Sequence, residues 1–317
     1  MKICLVTPAG KQSRAGNRTT ADRWAKILKG LGHRVSVVKE YDGSSADLMI
    51  AIHAWRSYES IRNFSDKFPE RPLIVLLAGT DIYSFQHTHP VKTIDSMERA
   101  TVLISLHNLV HQAIPKKFSD KLNLIYQSAL PLTKQKNPTK RYFDVCVVGH
   151  LRDEKDSLRA AYAARKLPSN SRLRIIHLGK AHNEKWSRLA RDEELKNHRF
   201  KWRGEVAGWE VRHQYKKSHA LVISSVMEGG ANVVSEALAS GLPIIASKID
   251  GNVGLLGNEY LGYYPVQNTK ALTHLLSKAE TDQKFLTNLE SQCRAKSMLF
   301  YPERERDSWK TLLGKLN

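Results

Sequence analysis

Glu228 and Glu236 are the residues whose type and spacing speak most directly of chemistry. Seven residues separate them within the segment SSVMEGGANVVSEALASGLPIIAS, residues 224–247. A strand over 221–224 runs into Glu228-Gly229-Gly230-Ala231-Asn232, and a helix over 233–240, opened by Val233, is closed by Gly241 and Pro243. Two glycines let a ligand come close to the backbone, and free amides at a helix start favour an anion. Two carboxylates at such a mouth can each accept hydrogen bonds from the vicinal hydroxyls of a sugar or ribose. The plainer alternative is one solvated and one helix-face glutamate.

A second group lies near the amino terminus, in PAGKQSRAGNRTTADRW. Gly10, Gly16 and Asn17 allow close approach, while Lys11, Arg14 and Arg18 crowd positive charge around the loop. An anion is the expected visitor there, either an acceptor or a donor phosphate. The following helix is expected to begin at Thr19 or Thr20 and to bury Trp24, Ile27 and Leu28. His53 and Arg56 follow the apolar run LMIAI, and Thr80 and Asp81 follow LIVLLAG. All four are expected to point into a ligand cleft from the ends of strands.

The elements that must position these groups alternate from end to end. Residues 2–7, 34–39, 48–53, 73–78 and 102–105 read as strands, with amphipathic stretches at 20–31 and 55–64 between them. After the polar, basic stretch 134–141 the alternation restarts. Strands are expected at 143–148, 173–178, 200–202, 220–224 and 243–246, with a helix at 157–166 and an amphipathic helix at 303–316. Such alternation implies parallel sheets covered on both faces. KICLVTPAG and FDVCVVGHL open the two halves in the same strand-then-glycine form, so two similarly built α/β domains are expected. Ligands would bind at the carboxyl ends of their sheets.

Lys and Arg number 50 against 31 Asp and Glu in 317 residues, a formal net charge of +19. Attraction for anions is implied, without choosing among nucleic acid, an acidic membrane or phosphorylated small molecules. No recognised nucleic-acid-binding motif appears, and the cations collect around glycine loops, so no nucleic-acid partner is expected. No apolar run approaches the roughly 20 residues that span a bilayer, and the amino terminus reads as a strand rather than a signal peptide. Cys4, Cys146 and Cys293 are widely spaced and odd in number, which suits a reducing cytoplasm. Neither an Asp-x-Asp motif nor a cluster with metal-ligand spacing occurs, so no metal is expected.

The segment 224–247 resembles the signature of family 4 glycosyltransferases, whose glycosyltransferase-B architecture has two Rossmann-like domains facing across a cleft. By that resemblance Glu228 holds the donor sugar and Glu236 the nucleotide ribose, while Gly229, Gly230, Ala231, Asn232 and Val233 form the turn that meets sugar and diphosphate. VVGHLRDEKD resembles the segment in which an arginine and a lysine grip the diphosphate. Lys155 matches the lysine; His150 stands at the arginine position, with Arg152 two residues on, and either could supply the second contact. These fixed cations would stabilise the departing diphosphate without a metal. The resemblance also implies domains at 1–133 and 142–300, a linker at 134–141, and a last helix at 301–317 that crosses back to the first domain. Ala78 stands where many members carry an acceptor-side histidine.

GNRTTADRW, AIHAWRS, GTDIY, VVGHLRDEKD, IDGNVGLLG and FYPERERDSW together resemble a narrower group, the selenosugar synthases of selenoneine biosynthesis. That resemblance implies transfer from UDP-N-acetylglucosamine or UDP-glucose to selenophosphate, giving a 1-seleno-sugar. Lys11, Arg14 and Arg18, with His53 and Arg56, would then hold selenophosphate near the anomeric carbon, and residues 249–257 would lie on the nucleotide side. A transferase acting on a lipid or lipopolysaccharide acceptor is the alternative, without stable membrane insertion.

Overall fold

The computed structural model of the protein describes residues 1–13, 15–133 and 135–316. The described chain divides into two compact units, Met1–Gln127 with Glu228–Ala231 and Pro302–Asn317, and Ser128–Met227 with Asn232–Tyr301.

In the first unit, β1 (Lys2–Val6), β2 (Arg34–Val38), β3 (Leu48–Ile52), β4 (Leu73–Leu76), β5 (Val102–Ser105) and β6 (Leu122–Leu124) form one parallel sheet in the order β2-β1-β3-β4-β5-β6. Period-2 alternation divides the core between its faces. Cys4, Val6, Met49, Ala51, Leu73, Val75 and Leu103 join one cluster, and Ile3, Leu5, Leu48, Ile50, Ile74 and Ile104 the other. Helix α1 (Gly16–Gly30) covers the second face with Trp24 and Leu28, and α2 (Tyr58–Lys67) covers the first with Ile61 and Phe64. Short α3 (Gln86–Thr88), α4 (Pro90–Arg99) and α5 (Val110–Ala113) complete that first face, where Met97 and Val110 pack.

The second unit repeats the plan. Strands β7 (Phe143–Val148), β8 (Leu173–Leu178), β9 (Phe200–Trp202), β10 (Ala220–Ile223), β11 (Ile244–Ser247) and β12 (Tyr263–Tyr264) are parallel, in the order β12-β11-β10-β7-β8-β9. Its helices are α6 (Arg159–Ala164), α7 (Glu184–Lys196), α8 (Gly208–Lys217), α9 (Asn232–Ala239), α10 (Asp250–Leu256), α11 (Thr269–Thr281) and α12 (Gln283–Ser297). The last helix, α13 (Pro302–Gly314), belongs to the first unit: Trp309 meets Trp24 edge to face at 4.8 Å, and Leu312 and Leu313 enter the same core. The two parallel-sheet Rossmann-like units anticipated from the alternating pattern are thus present.

One local expectation is corrected. Helix α1 starts at Gly16, so Asn17, Arg18, Thr19 and Thr20 are already helical. Ala15 at its cap offers no side-chain hydrogen bond, and Thr20, a residue type that favours caps, is instead buried and donates to Gln127 Oε1 at 2.7 Å. Within the segment 249–257, Asp250–Leu256 form α10, in which Gly251–Leu256 are buried. Strands β6 and β12 have only three and two residues, too short to show alternation in the sequence.

Candidate active site

In an open parallel sheet the ligand crevice lies beyond the carboxyl ends of the strands where the order reverses. In the first unit that point falls between β1 and β3, and in the second between β7 and β10. The loops carrying most of the candidate residues leave those strands, while Thr80 and Asp81 follow β4.

After β1, the chain turns at Gly10, where Ser13 N–H donates to Gly10 O at 3.0 Å, and Thr7 Oγ1 approaches Asn17 O at 3.4 Å. Gly10, Lys11 and Gly16 are exposed and Asn17 is half-buried; Arg14 lies outside the described residues. The Arg18 guanidinium is paired twice with Asp22, Nε to Oδ2 at 3.0 Å and Nη2 to Oδ1 at 2.7 Å, leaving its side chain 13% exposed. Beside this loop lies a groove of about 660 Å³ lined by Ala9, Lys11, Arg18, Asp22, Ala25, Lys26, Lys29, Val37 and Lys39. Five cations face one carboxylate there. Arg18, Asp22, Lys26 and Lys29 share one face of α1 by their helical spacing, so the sequence itself places Lys26 and Lys29 beside Arg18.

His53 and Asp81, expected at the ends of strands facing a ligand cleft, are enclosed, at 2% and 1% exposure. His53 takes a left-handed backbone, φ 78°. Its Nδ1 lies 2.7 Å from Asp81 Oδ1 and its Nε2 3.0 Å from Thr80 Oγ1. The imidazole is thus held through both ring nitrogens, Nδ1 by the aspartate and Nε2 by the threonine hydroxyl. Asp81 also accepts from the amides of Ala54 at 2.8 Å, Ala78 at 2.9 Å and Trp55 at 3.0 Å. The aspartate therefore fastens the loop after β3 to the loop after β4. Of this quartet Arg56 is exposed and Thr80 half-buried.

Residues Glu228–Ala231 are grouped with the first unit, and there the glycines have a packing reason. A Cβ on Gly79 would lie 2.5 Å from Gly229 N, and one on Gly229 would overlap Gly79 N. Gly230, at φ 119°, has no room for a Cβ against Leu106 Cβ, and its carbonyl accepts from Gln127 Nε2 at 2.8 Å. Part of the glycine requirement read as ligand approach is therefore met by backbone against backbone. Glu228 and Ala231 are buried in this turn.

In the second unit the loops after β7 and β10 are tied together. Ser224 Oγ lies 3.0 Å from both Lys155 O and Asp156 O, and Val226 N–H donates to Glu154 O at 2.9 Å. Lys155 closes the short turn Asp153–Lys155, and Asp156 follows it in the left-handed region, φ 45°. Arg152 is exposed, with Nε 3.8 Å from Glu154 Oε2. His150 is half-buried; its Nδ1 accepts from the Lys180 amide at 3.1 Å. Burial, reinforced by Arg152, Lys155 and Lys180 over the opposing Glu205, lowers its pKa below the ordinary value. Asn232 and Val233 open α9, both half-buried, and Glu236 stands one turn on. Tyr215 of α8, which no local pattern could connect with Glu236, donates its hydroxyl to Glu236 Oε2 at 2.7 Å.

The two parallel-sheet Rossmann-like units, with cation-bearing loops at each reversal of strand order, define a glycosyltransferase-B type of fold. Residues 131–296 match the family described as glycosyl transferases group 1, and the protein belongs to that family. A 162-residue stretch is 28% identical to the UDP-Gal:alpha-D-GlcNAc-diphosphoundecaprenol alpha-1,3-galactosyltransferase of Escherichia coli, covering 49% of this chain and 40% of that enzyme. The match thus spans less than half the length of this curated relative. Among solved structures, Anabaena Alr3699/HepE in complex with UDP and glucose superposes with a TM-score of 0.80 at 16% identity, over 99% of this chain and all of that one. The sucrose-phosphate synthase of Thermosynechococcus elongatus gives 0.77 at 14% identity, over 99% and 98%. These structural likenesses establish the fold.

Proposed function

We propose that this glycosyltransferase moves a sugar from a UDP-sugar, UDP-N-acetylglucosamine or UDP-glucose, to selenophosphate and releases UDP. The observation that carries the anionic acceptor is the groove beside α1, whose described lining holds Lys11, Arg18, Lys26, Lys29 and Lys39 against one carboxylate, Asp22. A uridine-diphosphate donor is supported by the names of the relatives: one is a UDP-Gal transferase, and HepE was crystallised with UDP-glucose. Selenium as nucleophile is supported by the motifs shared with selenosugar synthases.

In this reading selenium attacks the anomeric carbon. The carbon–selenium bond forms as the bond to the UDP oxygen breaks, and UDP leaves with the electron pair. Arg152 and Lys155 stabilise the charge gathering on the diphosphate, with no metal ion required. Glu228 orients the donor sugar and Glu236 the ribose, while the amides of Gly229, Gly230, Ala231, Asn232 and Val233 serve the sugar and diphosphate. Water then takes the phosphoryl group, giving inorganic phosphate and the 1-seleno-sugar. A selenium anion needs little deprotonation, which agrees with Ala78 in place of a histidine and with the enclosure of His53. His53 and Asp81 hold Thr80 and the neighbouring loop in place. The buried free thiols Cys4, Cys146 and Cys293 suit a reducing, cytoplasmic setting.

A lipid-linked acceptor is the second reading, favoured by the acceptor named for the Escherichia coli relative. No helix among the described residues is long and apolar enough to cross a membrane, so such an acceptor would be met at a surface. Incubation with UDP-N-acetylglucosamine and either selenophosphate or a diphosphate-linked lipid separates the two readings. A selenium-bearing sugar in the mass spectrum supports the first; sugar on the lipid alone would transfer the assignment to the second.

A further inference from the structure

Tyr215 stands outside every motif and belongs to no loop at the reversal of strand order. It sits on α8 with its ring wholly buried, 0% exposed. A buried phenol needs a partner for its proton, since an unmet hydroxyl in an apolar interior is costly. Here the partner is a carboxylate: Tyr215 Oη lies 2.7 Å from Glu236 Oε2. Burial first, and the neighbouring Glu236 charge next, hold the phenol proton on, well above the ordinary tyrosine range. The hydroxyl therefore keeps its proton and donates it to the carboxylate.

The geometry of α8 and α9 makes the contact directional. Glu236 projects from α9, in the second turn after Asn232, and its long side chain has several rotamers of similar energy. A rigid aromatic donor anchored in the core selects among them. A carboxylate offers about four lone-pair directions, so a bond from Tyr215 is compatible with bonds from hydroxyl donors.

We infer that Tyr215 is a positioning residue for the nucleotide donor, fixing the Glu236 carboxylate in the orientation that receives the ribose hydroxyls. This rests on the proposed UDP-sugar reading and extends it to a residue that never touches the substrate. Tyr215→Phe removes one oxygen and retains the ring that fills the core, so the fold is kept.

The test is calorimetric titration of the full chain with UDP and with 2′,3′-dideoxyuridine diphosphate. The unaltered protein should bind UDP more tightly than the dideoxy compound. In Tyr215→Phe, UDP affinity should fall about tenfold, dideoxy affinity should stay nearly constant, and the discrimination between them should shrink. Adding Tyr215→Phe to Glu236→Gln should cost little beyond Glu236→Gln alone, because both act on one contact. Equal weakening of both ligands, or unchanged discrimination, would overturn the positioning role while leaving the donor reading intact. If the unaltered protein ignores UDP, the donor reading falls and the inference falls with it.

Discussion

Trp24 Nε1 donates to Glu305 Oε1 at 2.7 Å in the buried core of the first unit, joining the first helix of the chain to its last. The same carboxylate, 1% exposed, accepts from Arg23 Nε at 2.9 Å through its other oxygen. Arg23 Nη2 in turn reaches Gln127 Oε1 at 2.5 Å, and Gln127 holds the Gly230 carbonyl. A buried carboxylate on α13 is thereby connected, bond by bond, to the glycine turn. Removing one partner of such a network leaves the others desolvated and unmet, at a cost of about 3–5 kcal/mol. Glu305→Ala should lose that much in urea unfolding, and a change below about 1 kcal/mol would contradict the role assigned to this network.

The glycine pair makes a sharper prediction. Gly79 and Gly229 pass backbone to backbone, so Gly79→Ala must push the two segments apart. Overpacking of this kind costs about 1–3 kcal/mol. The loss should appear in thermal unfolding, together with weaker UDP binding, since Gly229 belongs to the turn proposed to hold the donor.

Stability should fall on mild acidification. Burial lowers the pKa of His107 and of His177 from 6.5 to about 4. Between those values the unfolded chain binds protons that the folded chain refuses, so this stability is complete above about pH 6.5 and is lost as the pH falls toward 4. Each histidine contributes up to about 1.4 kcal/mol per pH unit in that window. His107→Gln should roughly halve the contribution of the pair to the slope of unfolding free energy against pH. An unchanged slope would show that His107 does not resist protonation in the fold.

Reversing the charge of the groove separates acceptor from donor. Lys26→Glu with Lys29→Glu should raise the acceptor KM by about tenfold or more, equivalent to about 1.4 kcal/mol, while UDP affinity measured by calorimetry stays within about twofold. Equal effects on both substrates would show that the groove is only surface charge.

Much of this architecture could be read in the sequence, because buried parallel strands announce themselves as apolar runs. The spans 102–105, 143–148, 173–178 and 200–202 coincide with β5, β7, β8 and β9. What the sequence concealed was contact between distant residues. The pairing of His53 with Asp81 and Thr80 turns a strand-end histidine inward, and Thr80 lies 27 positions further along the chain, with no trace of that contact between them. Tyr215 and Glu236 lie 21 residues apart on separate helices. The start of α1 was hidden for a local reason, since Ala15 has no capping side chain while the threonines that imitate caps lie within the helix.

The central claim is transfer from a UDP-sugar to a selenium nucleophile, and its most direct test is the stoichiometry of one reaction. UDP release from UDP-N-acetylglucosamine or UDP-glucose is followed as selenophosphate is added, with mass spectrometry of the sugar product. The account predicts saturable stimulation of UDP release, matched one to one by a sugar with selenium on its anomeric carbon. UDP release indifferent to selenophosphate, with no selenium-bearing sugar from either donor, would contradict it.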